Sequence, residues 1–127
     1  METRCNGKVF IVEDSPPIRS RLVEMIREID GACVVGEAES PVEAVAGIRD
    51  TLPDCVVLDL QLIGGSGLDV LRAVHPDSPD IGFVVLTANP AVQYRRACIE
   101  AGAGWFLDKS TEFGKLKDVV IECLGRH

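Results

Sequence analysis

The chain has 127 residues, 46% of them hydrophobic, and a formal charge of -7 at neutral pH. That length buries one core and leaves none for a second, so residues 1–127 are expected to form a single domain. The acidic balance argues against direct binding of nucleic acid, whose phosphates are neutralised by a surplus of Lys and Arg that is missing here.

In chain order, short continuous apolar runs at residues 9–12, 33–35, 55–60, 83–86 and 105–107 read as strands buried on both faces. Helical stripes alternate with them. Ile18, Leu22, Met25, Ile26 and Ile29 share one face, followed by Val45, Ile48 and Leu52, then Leu68, Leu71 and Val74, and last Phe113, Leu116, Val120 and Leu124. Ser15-Pro16 reads as a helix start, and Gly31, Gly102 and Gly104 stand where helices end. The segment 92–101 is less periodic. Strict strand-helix alternation with short connections predicts an α/β fold with one doubly wound, five-stranded parallel sheet, in flavodoxin-like order 2-1-3-4-5, helices covering both faces. The five cysteines are odd in number, lack CxxC spacing and mostly fall inside apolar runs, so they are expected to be reduced core residues. No apolar run reaches membrane-spanning length and the polar start METRCNGK is no signal peptide, so a cytoplasmic location is expected.

Polar residues follow four of the strands: Glu13 and Asp14, then Asp59, Thr87 and Lys109. In a parallel sheet the carboxyl ends share one rim, so these side chains should converge although nearly the whole sequence separates them. Three carboxylates with the Gln61 backbone carbonyl offer hard oxygen ligands suited to Mg2+. A divalent cation and the Lys109 ammonium are needed to keep such a cluster ionised. Asp59 then becomes a credible nucleophile toward a phosphoryl group, with Lys109 and the Thr87 hydroxyl on its oxygens.

Over essentially its whole length the chain resembles the receiver domains of two-component response regulators. The residues carrying the likeness are VFIVEDSPPIR, CVVLDLQL, VVLTAN and AGAGWFLDKST. The resemblance implies Mg2+ held by Glu13, Asp14, Asp59 and the Gln61 carbonyl. Asp59 would accept phosphate from a sensor histidine kinase or histidine phosphotransfer protein, with Thr87 and Lys109 coordinating it. Thr87 and Phe106 would act as the switch, repacking the face of the fourth helix, fifth strand and fifth helix. That face would serve a downstream protein or a homodimer, and Tyr94, Arg95 and Arg96 suit such an interface. Gln61 and Asn89 match the positions flanking the attacking water in dephosphorylation. Such a protein is a signalling switch, with no enzymatic activity beyond taking up and slowly losing phosphate.

Some positions depart from the common pattern. Ser110 follows Lys109 where many relatives have proline, leaving the isomer of that bond open. The loop QLIGGSG lacks the usual proline, and its glycines are expected to make it mobile. By alternation Trp105 should face away from Phe106. A flavodoxin-like FMN or nucleotide site is the rival reading of the same rim, but it wants a glycine- or hydroxyl-rich loop after the first strand where the acidic pair stands. A dehalogenase-like phosphatase would want a carboxylate where Gln61 lies. The chain stops at His127 just after the last helix, which is read as a stand-alone regulator ahead of the receiver of a longer helix-turn-helix regulator.

Overall fold

The computed structural model describes residues 5–88 and 91–125. Strands β1 (Gly7–Val12), β2 (Ala32–Ala38), β3 (Cys55–Leu58), β4 (Gly82–Thr87) and β5 (Trp105–Asp108) alternate with helices α1 (Pro16–Arg27), α2 (Pro41–Thr51), α3 (Gly67–Val74), α4 (Val92–Glu100) and α5 (Leu116–Leu124). A 3-10 turn at Phe113–Lys115 leads into α5. All five strands pair in parallel, in the order β2-β1-β3-β4-β5 anticipated from the alternation. A two-residue hairpin, Gln61–Leu62 against Gly65–Ser66, is an addition the apolar runs did not announce.

The sheet divides the interior into two half-cores. Period-two alternation sends Phe10, Val12, Val56 and Val85 toward α2, α3 and α4, while Val9, Ile11, Val57 and Val84 face α1 and α5. Leu22 and Ile26 from α1 and Leu116 and Val120 from α5 are fully buried on the second face. Truncating one of these to alanine costs about 3 kcal/mol. Trp105 packs with the α1/α5 side and Phe106 with the α2/α3/α4 side, as alternation requires. Among the described residues no helix is long and apolar enough to cross a membrane.

Two expectations need correction. Leu52 does not join the packing stripe of α2; it caps the helix with left-handed backbone (φ 48°) and stays exposed, and Ala44 and Ile48 are the buried residues. The cysteines are not all free. Cys5 and Cys33 form a disulfide, their Cα atoms 5.6 Å apart, because the N–H groups of Asn6 and Gly7 both donate to the Gly31 carbonyl and draw the amino-terminal segment along the start of β2. The other three, Cys55, Cys98 and Cys123, are buried thiols as expected. A hydrogen bond with Cys123, together with burial, pushes the Cys55 thiol well above its ordinary range, so this is inert packing. The disulfide removes the cysteine argument for a reducing compartment.

Candidate functional site

The rim is built by extending the strand ladder beyond the strands. Glu13 N–H donates to the Ala38 carbonyl (2.9 Å), Asp59 N–H to Val12 (3.0 Å) and Lys109 N–H to Thr87 (2.8 Å), so the ends of β2, β1 and β3 are locked together, as are those of β4 and β5. This register turns Glu13, Asp59 and Thr87 inward; they are the buried polar residues among those described, at 1%, 5% and 0% exposure. Carboxylate oxygens of Glu13, Asp14 and Asp59 all lie within 4.8 Å of one another. Lys109 Nζ sits between two of them, 2.6 Å from Glu13 Oε1 and 2.9 Å from Asp59 Oδ2. The second Glu13 oxygen accepts the Ser15 N–H (3.0 Å), and Asp59 Oδ1 accepts the Gln61 N–H (3.3 Å).

Burial pushes the Glu13 carboxyl above its ordinary value, outweighing the Lys109 and Ser15 hydrogen bonds, and the neighbouring Asp59 charge adds to the rise. Burial pulls the other way on Lys109, but its hydrogen bonds to Glu13 and Asp59 prevail and hold the ammonium charged above its usual range. With three carboxylates against one ammonium the cluster keeps a negative excess. A small set of hard oxygens at mutual ligand distance, with that excess, fits a divalent cation such as Mg2+.

The loop after Asp59 forms a hairpin with several defined contacts. Gly64 takes the left-handed turn of the hairpin (φ 81°), Ser66 and Asp69 form a capping box at the start of α3, and Ile63 N–H donates to the Glu39 carbonyl (3.1 Å). Gly67 N–H donates to the Leu60 carbonyl (2.9 Å), and a Cβ at this position would overlap the Asp59 carbonyl oxygen. The glycine is there for close approach.

The loop after Lys109 has no cis bond, so Lys109–Ser110 is trans. Asp108 Oδ1 accepts both the N–H (2.9 Å) and the hydroxyl (2.7 Å) of Ser110, and Glu112 Oε1 accepts the Asp108 N–H (3.0 Å). The Ser110 hydroxyl holds the Asp108 carboxyl below its usual range, and the Asp108 N–H does the same for Glu112. This self-closed turn, with Ser110 at its centre, directly follows the lysine.

The structure thus gathers Glu13, Asp14, Asp59 and Lys109, with Thr87 at the adjoining strand end. Gln61 is exposed on the hairpin, and Phe106 is half-buried on β5, paired with Val85 two positions before Thr87. Asn89 lies outside the described residues. Tyr94, Arg95 and Arg96 are exposed on α4, and a cavity of about 420 Å³ lined by Thr87, Tyr94 and Cys98 separates that helix from the hairpin. Sequence reading passed over Arg19, a turn into α1, whose guanidinium Nη1 donates to the Glu13 carbonyl (2.9 Å). An arginine five residues past the acidic pair was the available signal.

A parallel sheet of this order with an acidic rim closed by a lysine defines the receiver class of signalling module. The chain belongs to the response regulator receiver domain family, whose family model matches residues 9–121. It is 32% identical over 94% of its length to a nitrate/nitrite response regulator protein homolog of Haemophilus influenzae, covering 55% of that protein. It is 34% identical over 80% of its length to the DNA-binding transcriptional activator DevR/DosR of Mycobacterium tuberculosis, covering 47% of it. The chain therefore spans about half the length of the curated relatives it matches. Among solved structures, a LuxR-family two-component response regulator from Aurantimonas sp. SI85-9A1 superposes with a TM-score of 0.88 at 27% identity, over 95% of this chain and 86% of that one. The chain is thus a receiver of two-component signalling, a switch module and not a classical enzyme.

Proposed function

We propose that residues 1–127 form a receiver domain in which Asp59 accepts a phosphoryl group from a sensor histidine kinase or histidine phosphotransfer protein. The observation that carries this reading is Lys109 Nζ seated between Asp59 and Glu13 in a cluster of three carboxylates. An Asp59 carboxylate oxygen attacks phosphorus, the new P–O bond forms as the P–N bond of phosphohistidine breaks, and the electron pair leaves on the imidazole nitrogen. Glu13, Asp14, Asp59 and the Gln61 carbonyl would hold Mg2+, which when bound neutralises charge on the phosphoryl oxygens. Lys109 and the Thr87 hydroxyl hold the transferred group.

Thr87 and Phe106 form the switch. Phe106 lacks a phenolic hydroxyl, so its signal travels by ring packing into the face of α4, β5 and α5, where a downstream protein or a second copy docks. Gln61 and Asn89 flank the water that later hydrolyses the acyl phosphate. Self-phosphorylation from small donors and slow dephosphorylation are its only chemistry, and its setting is the cytoplasm, where kinases hold phosphohistidine. The receiver itself makes no contact with nucleic acid, in keeping with its charge of -7. A second reading, that it is the receiver of a longer helix-turn-helix transcription regulator, is favoured by its covering about half of its relatives.

Intact mass after incubation with acetyl phosphate tests the chemistry. Gain of one phosphoryl group that requires Mg2+ and is absent in Asp59→Asn is expected. No gain in the wild type with any divalent metal would sink the phosphoacceptor reading of Asp59.

A further inference from the structure

Arg19 ties together three loops of the rim. Its Nη1 donates to the backbone carbonyl of Glu13 at 2.9 Å. The same guanidinium reaches Glu37 Oε1 at 3.3 Å through Nε and Glu39 Oε2 at 3.5 Å through Nη1. Glu37 lies in β2 and Glu39 just beyond it, and the Glu39 carbonyl accepts the N–H of Ile63 in the hairpin that follows Asp59. The guanidinium is largely shielded, with 23% of the side chain exposed, so it is held in place and is not a loose surface cation.

We infer that Arg19 is the positioning residue of the divalent-cation site: by fixing the Glu13 carbonyl it sets the direction of Asp14, and through Glu39 it ties the acidic loop to the hairpin bearing the Gln61 carbonyl. This rests on the reading that Glu13, Asp14 and Asp59 hold Mg2+. Glu13 and Asp59 are anchored by their own side-chain contacts with Lys109. Asp14 is the more open of the three, and its aim follows from the peptide that precedes it. A planar fork that binds a carbonyl and two carboxylates at once is a property of guanidinium; a lysine ammonium offers a point charge without that geometry.

Charge and geometry predict opposite signs. Arg19 is a cation near a cation site, and removing it also frees Glu37 and Glu39, so electrostatics alone would tighten Mg2+ binding in an Arg19 variant. Loss of positioning weakens it, typically by tenfold or more for partners that orient metal ligands.

The test is calorimetric titration of Mg2+ into the full chain as wild type, Arg19→Met, Arg19→Lys and Asp59→Asn, with urea unfolding of each in EDTA. Both Arg19 variants are expected to bind Mg2+ about tenfold more weakly than wild type, with Lys giving no rescue. Arg19→Lys supplies the answer if Arg19→Met does not fold. Unchanged or tighter Mg2+ binding in the folded variants overturns the inference and leaves Arg19 a structural ion pair, whatever its effect on urea unfolding. Wild type that takes up no Mg2+, or Asp59→Asn that binds it as wild type does, overturns the underlying metal reading and the inference with it.

Discussion

The acidic rim and α4, which lies across a cavity from the hairpin, are built in opposite ways. At the rim, backbone ladders, an internal ion triad, a capping box and a glycine pressed on the Asp59 carbonyl hold every element. Helix α4 buries Cys98 as its one fully enclosed residue, lacks a side-chain N-cap bond, and leaves Val92, Tyr94 and Ile99 exposed. The contrast sets a site whose chemistry needs fixed geometry against a helix with the marks of the low-stability end of the fold.

Gly67→Ala strikes the rigid side hardest. Its new methyl must displace the Asp59 carbonyl, and a loss of about 3 kcal/mol in urea unfolding is expected, along with loss of Mg2+ binding. A variant that unfolds and binds as wild type does would show the rim to be more pliant than described. Lys109→Met leaves Glu13 and Asp59 without their shared cation and should cost about 2 kcal/mol at neutral pH without metal. Because the folded pKa of Lys109 is raised above 10.5, its stabilisation is complete below that value and is lost as pH rises through the folded pKa. The gap between wild type and variant should therefore be constant across neutral pH and close on the alkaline side as Lys109 loses its proton, which denaturation at a series of pH values reads directly.

Glu13 behaves with the opposite consequence. Its folded pKa lies above 4.5, so ionising it costs stability, a cost that is absent below 4.5 and develops as pH rises through the folded value. In EDTA, Glu13→Gln is expected to melt above wild type at neutral pH and to lose that advantage below pH 4.5; a variant melting lower at neutral pH would mean the Lys109 bond outweighs burial.

On the other side, Cys98→Ala should cost only about 1 kcal/mol globally while α4 amides exchange hydrogen well before those of β1 and β3. Equal protection of α4 and the central strands would abolish the comparison. The smallest effect is a gain. Leu52→Gly relieves left-handed backbone and removes an exposed apolar side chain, and it should raise stability by about 0.5–1 kcal/mol, seen as a higher melting temperature.

What could be read from sequence followed the same divide. Strands buried on both faces leave unbroken apolar runs, so β1, β3 and β4 and the polar residues at their ends were visible, and parallel pairing then dictated the rim. Helix α4 gave a weak period because most of it faces solvent. The hairpin at residues 61–66 has strands too short to alternate. The Cys5–Cys33 bond and the Arg19 contacts depend on the register of β1 against β2, which no local pattern encodes. Leu52 completed a helical stripe by spacing, but the helix had already ended one residue earlier.

An open sheet has two edges, here β2 and β5. The β5 edge is only four residues long, ends on Asp108 and is followed at once by Lys109. A short border that runs into charge is a poor template for a foreign strand, so the sheet stays unclosed at β5 without inviting fibril growth on that side.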